Sequence, residues 1–206
     1  MNVERSDFLA GPIVRRVEPG IVAVWVALRM PATVHLKVFA GLRDASETSG
    51  LTPDATGSVA TRAVGSNLHL AVVVAKPPNN GSLTAGDLYS YDIEVETEDG
   101  TTTLDGFELL SDAAGGPGVH AHLALGYAPG RLPSFRIPPA NYEDLVLFQG
   151  SCRKPYGPRF DVLQTLDAYT REDSGKGPRP HLLVMSGDQI YADSVAPEML
   201  PLLTEA

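Results

Sequence analysis

The chain has 206 residues, of which 43% are apolar and 20% charged, a composition that excludes a disordered or low-complexity protein. A net charge of −9 without any basic stripe speaks against a nucleic-acid partner. The single cysteine, Cys152, excludes an internal disulfide framework. Acidity does not exclude phosphate chemistry, because bound cations reverse the local charge.

Residues 1–7 lack a basic segment followed by an apolar one, so they do not read as a secretory signal. Apolar runs such as Leu70 to Ala75 are too short to span a bilayer. A soluble, cytoplasmic protein is expected. Twenty glycines and 17 prolines favour turns and short strands over long helices.

Residues 1–135 read as a β domain. Ile21 to Leu28 follows the turn pair Pro19-Gly20, and Thr33 to Phe39 alternates through Val34, Leu36 and Val38. Leu68 to Ala75 is another run, broken by residues 76–81. Leu88 to Glu96 places Tyr89, Tyr91, Ile93 and Val95 on one face, and Glu98-Asp99-Gly100 makes a hairpin turn from which Thr101 to Leu104 returns. Such a series predicts a small β-sandwich of immunoglobulin- or fibronectin-like type. Trp25 is expected in its core, and Tyr89 and Tyr91 in sheet packing.

Gly115 to Ala140 reads as a proline- and glycine-rich connector. It holds His120 and His122, two apart, which would share a face on a strand and could then bind a metal. No third ligand lies near them in sequence.

The pattern changes in residues 136–206. Leu145 to Phe148 is an apolar run expected for a strand buried on both faces, ending in Gln149-Gly150-Ser151-Cys152. Phe160, Leu163, Leu166 and Tyr169, with Val162 beside them, form a helical stripe. Leu182 to Met185 is a second buried strand, ending in Gly187-Asp188-Gln189-Ile190-Tyr191-Ala192-Asp193. Strand, helix and strand predict a βαβ unit with parallel strands. Cys152 and Asp188 then meet at the carboxyl edge, where open α/β sheets place ligands.

Asp188 can bridge hard cations, or it can cap a short helix. Tyr191, three residues on, shares its side if the loop makes one turn. Asp193 is read as a cap or as orienting a ligand. Cys152 is a thiolate ligand, a buried small hydrophobe or a phosphate-cleaving nucleophile. The last needs a backbone cradle and a spaced arginine, and Pro155 and Pro158 before Arg159 remove two of its donors. Arg153 and Lys154 can meet a substrate phosphate or form an ordinary solvated pair. The stretch lacks the ending of a nucleotide-binding P-loop.

The segments 148–155 and 187–193 together resemble the alkaline phosphatase D-like branch of the metallophosphatases. The resemblance implies that Cys152, Asp188 and Tyr191 hold a ferric ion. It further implies that Asp188 bridges toward a divalent ion, calcium in the well-known members. It also implies a β-sandwich ahead of an α/β metallophosphoesterase domain, and hydrolysis of a small phosphate mono- or diester. The match is strong over residues 141–206 and architectural before them. Later asparagine, aspartate and histidine ligands of that family have no counterpart in the 206 residues. The chain therefore reads as an amino-terminal fragment, inactive by itself and missing the carboxy-terminal part of its catalytic domain. The alternative is a non-catalytic β-sandwich binding module with an inactive metallophosphatase remnant.

Overall fold

The computed structural model describes residues 4–111, 124–153, 163–171, 179–189 and 191. Two compact units divide between Ala140 and Asn141, and each is described by itself. His120, His122, Lys154, Arg159 and Asp193 lie outside the described residues, as do Phe160 and Val162 of the expected helical stripe.

The first unit is built from antiparallel sheets. One sheet has the order β1-β2-β6-β5, from Phe8–Glu18, Ile21–Leu28, Leu68–Ala75 and Arg62–Gly65. The other has the order β4-β3-β7-β8, from Ala55–Ala60, Thr33–Ala40, Leu88–Thr97 and Gly100–Thr103. Strand β9, Ser134–Arg136, adds to it through β7. The side chains that alternate inward, among them Val22, Val24, Val26, Leu28, Val34, Leu36, Val38, Ile93 and Val95, form one buried cluster. This is the sandwich arrangement that the alternating runs predict. The hairpin at Glu98-Asp99-Gly100 is present, with Thr97 opposite Gly100. Gly100 has a φ of 141°, a value that favours glycine.

Trp25 departs from expectation. Val22, Val24, Val26 and Leu28 take the inner face of β2, so the alternation sends Trp25 to the opposite face, where it is half-buried. It stands between Ile13 of β1 and Val72 of β6. The connector also needs correction. Leu132, Phe135 and Ile137 are buried in the core, and the Phe135 ring lies 6.2 Å from that of Tyr89. Apolar residues spaced between prolines serve there as a sheet edge and not as a linker.

The two sheets are joined where β4 meets β6. Thr56 and Lys76 exchange backbone hydrogen bonds, N to O, of 3.2 and 3.0 Å. A Cβ placed on the neighbouring Gly57 would overlap the Val74 carbonyl. This glycine is required by close backbone approach.

Two residues alternating to the outside of β7, Ser90 and Asp92, are covered too. Asp92 is only 5% exposed, and burial pushes its carboxyl up to about 6 from an ordinary 3.8. The backbone N–H groups of Ile93 and Leu104 donate to its Oδ1 at 2.8 and 3.3 Å and work against that rise. Lys37 of β3 also opposes it, while Glu94 adds to it. Because the folded pKa is raised, the stability it contributes is present below about pH 4 and is lost as pH rises through about 6. The loss amounts to about 3 kcal/mol by linkage. Asp92→Asn keeps an oxygen for the two N–H donors and removes the charge. It is expected to match the natural chain in unfolding free energy near pH 4 and to exceed it near pH 8. Urea titrations at both pH values measure this, and a constant difference would contradict it.

The second unit contains two parallel strands, β10 (Leu147–Gly150) and β11 (Leu182–Met185). Their register runs from Leu147 opposite Leu182 to Gly150 opposite Met185. Helix α1, Leu163–Thr170, lies between them in sequence. Its Tyr169 ring packs 5.4 Å from that of Phe148. The pair starts at His181, whose N–H donates to the Val146 carbonyl and whose Nδ1 accepts the Val146 N–H. The expectation of strands buried on both faces is corrected. Leu147, Leu182, Leu183, Val184 and Met185 are all exposed, because the described residues provide only two paired strands and one short helix to cover them.

Candidate metal centre

Parallel pairing brings both strand tips to one edge, because Gly150 and Met185 are register partners. Past them the chains remain tied. Ser186 N–H donates to the Gly150 carbonyl at 2.9 Å, Cys152 N–H to the Gly187 carbonyl at 3.1 Å, and Arg153 N–H to the Asp188 carbonyl at 2.8 Å. These bonds extend the ladder beyond the strands.

Three side chains meet at this edge. Cys152 Sγ donates to Asp188 Oδ2 at 3.3 Å, and Tyr191 OH reaches the same oxygen at 3.5 Å. A thiol, a carboxylate and a phenol thus converge on one atom, and Cys152 and Asp188 are exposed. The phenol of Tyr191 is pushed up to about 12. Its hydrogen bond with Cys152 is the largest cause, followed by desolvation and by the charges of Cys152 and Asp188. Anionic neighbours disfavour a phenolate, and a cation among them would reverse that preference.

The backbone is unusual at both tips. Cys152 has a φ of 56° and Asp188 one of 52°, in the left-handed region that disfavours side-chain-bearing residues by about 1–2 kcal/mol. Gly187, between the strand and Asp188, has a φ of 143° and is suited to it. Such outliers concentrate at functional sites.

Three residues to which the sequence assigns no role brace the edge. Gln149 Nε2 donates to Ser186 Oγ at 2.5 Å, and Ser186 Oγ donates to the Gly150 carbonyl at 3.3 Å. Gln189 Nε2 donates back to the Gly187 carbonyl at 2.5 Å, while its Oε1 is buried and accepts no hydrogen bond among the described residues. Nothing in the sequence marks these glutamines and the serine, since their partners follow from register. Arg153 stands beside Cys152 at the tip, and Lys154 and Asp193 lie outside the described residues.

Among the described residues no group of three or more histidine, cysteine, aspartate or glutamate side chains could hold a metal. The candidate donor set has two of those types and a tyrosine as its third member. It combines a hard carboxylate and phenolate with a softer thiolate, which fits a trivalent iron better than calcium or magnesium. No family model matches the chain, and no curated protein or solved structure is significantly similar to it.

Proposed function

We propose that residues 141–206 form one flank of the metal centre of a phosphate-ester hydrolase, of the alkaline phosphatase D-like kind. The observation that carries the reading is the meeting of Cys152 and Tyr191 on Asp188 Oδ2. In this reading Cys152, Asp188 and Tyr191 would hold a ferric ion, and Asp188 would also serve a divalent cation, calcium by the resemblance. Bound cations of this kind polarise a phosphate ester and supply a nucleophilic water at neutral pH. The chain's own residues fix the donors. Backbone ties hold both tips at the sheet edge, and Arg153 adds positive charge where an ester phosphate would approach. The amino-terminal sandwich, with its immunoglobulin- or fibronectin-like strand pairing, is then the domain that precedes the catalytic one.

Ferric ion added to the anaerobically reduced chain tests the donor set directly. A phenolate on ferric iron absorbs visible light, so a coloured one-to-one complex is expected. Tyr191→Phe is expected to bind iron and keep thiolate colour while losing the tyrosinate vibrations that resonance Raman excitation of the natural complex shows. A colourless natural chain, or tyrosinate vibrations that survive in Tyr191→Phe, would count against the assignment.

A further inference from the structure

A cavity of about 500 Å³ lies on the outer side of the second sheet of the sandwich, within the size range of small-molecule sites. The metal-centre reading does not use it. Outward residues of β3 and β7 line it, with Lys37 directly opposite Asp92 in the register. The segment between β3 and β4 supplies further lining, including Leu51. Phe39 and Leu51 contribute apolar wall, and Lys37, Asp92, Glu94 and Asp105 contribute charge.

The charges do not balance within the cavity. Lys37 Nζ is engaged by Glu94 Oε1 at 2.5 Å. Asp92 is 5% exposed, and both its hydrogen bonds end on Oδ1. Its Oδ2 accepts none among the described residues, although the side chain lines the cavity. That oxygen is not fully enclosed by the protein, which leaves it open to a donor entering the cavity. Asp105 adds a second carboxylate without an ammonium beside it in the lining. The carboxylates are spread around the cavity, and they do not form a group that could hold a metal ion among the described residues. The volume, the charge and the apolar wall suit an extended cation with an apolar body.

We propose that this cavity binds a small organic ammonium ion of diamine size. Asp92 Oδ2 accepts its N–H donors, Asp105 contributes attraction, and Phe39 and Leu51 contact its methylenes. The proposal is independent of the phosphate-ester reading and survives or fails without it.

The test is a titration of the whole chain with 1,5-diaminopentane near neutral pH, followed through the amide resonances of Ile93 and Leu104. Those two amides report on Asp92 because they donate to it. Saturable shifts are expected with the diamine, and binding at least about tenfold weaker with the neutral 1,5-pentanediol. Asp92→Asn is expected to weaken the diamine by about tenfold or more. Glu98→Gln, an equal change of net charge on the exposed hairpin, is expected to change it by less than about twofold. Should Asp92→Asn not fold, Asp105→Asn takes its place, with a loss of about threefold expected. Absence of saturable shifts, equal binding of the diol, or undiminished binding by the folded pocket variant would overturn the proposal. So would an equal loss in Glu98→Gln, which would mark diffuse counter-ion association.

Discussion

Replacing Gly57 with alanine is expected to lower the unfolding free energy of the sandwich by about 4 kcal/mol or more. The added methyl would overlap the Val74 carbonyl, with the Ala75 backbone immediately behind it. Neither group is the end of a flexible side chain, so neither can rotate away. Relief requires β4 to move from β6, which breaks the paired hydrogen bonds between Thr56 and Lys76. It also opens the packing around Ala55, which is fully buried. Gly65→Ala provides the comparison, since a Cβ there meets nothing within 4 Å. That change is expected to shift stability by less than about 1 kcal/mol. Urea unfolding followed by Trp25 fluorescence separates the two. Equal stability of both variants would show that the close approach at Gly57 is not a constraint.

Asp188→Ala is expected to abolish ferric binding. In the longest product of the gene it is expected to lower phosphate-ester hydrolysis by at least about a hundredfold, since even outer partners of metal ligands cost 10–100-fold. Asp188 is the atom-level meeting point, because both Cys152 and Tyr191 approach its Oδ2. Removing it separates the other two donors from any shared centre. Alanine also tolerates the φ of 52° poorly, so Asp188→Asn is the sharper variant. Asparagine adopts the left-handed region readily and removes only the charge. Iron content by elemental analysis and hydrolysis of generic phosphate mono- and diesters give the readout. Hydrolysis undiminished in Asp188→Asn would end the hydrolase reading.

The sandwich was legible where alternation and turn chemistry agree. The β7 run from Leu88 and the Glu98-Asp99-Gly100 turn fix a hairpin without tertiary information. Trp25 departs from what its residue type suggests because parity along β2 decides its face. On β2 four alternate aliphatic residues claim the inner face, and the tryptophan falls between them. The stretch from Leu132 to Ile137 hides its role because Pro129-Gly130 and Pro138-Pro139 bracket it, although its Leu, Phe and Ile carry the packing. Burial of Asp92 was invisible for another reason. It depends on a distant segment covering the outer face, and no local pattern records that.

At the candidate centre, proximity of Cys152 and Asp188 follows from parallel pairing of two apolar runs, so topology was enough. The left-handed backbone at both positions was not readable, because neither residue type demands it. Gln149, Ser186 and Gln189 were likewise hidden, since their roles depend on which side of each strand faces the other.

The crossed backbone ties at the two tips have a consequence for how a cation would be captured. Cys152 and Asp188 are 36 residues apart in the chain, and bringing them together restricts a long loop. Here that restriction accompanies strand pairing and the three hydrogen bonds beyond it. An arriving ion would therefore meet donors already gathered, and its affinity would not be reduced by the entropy of assembling them. Capture would then resemble docking into a rigid clasp more than folding around a nucleus.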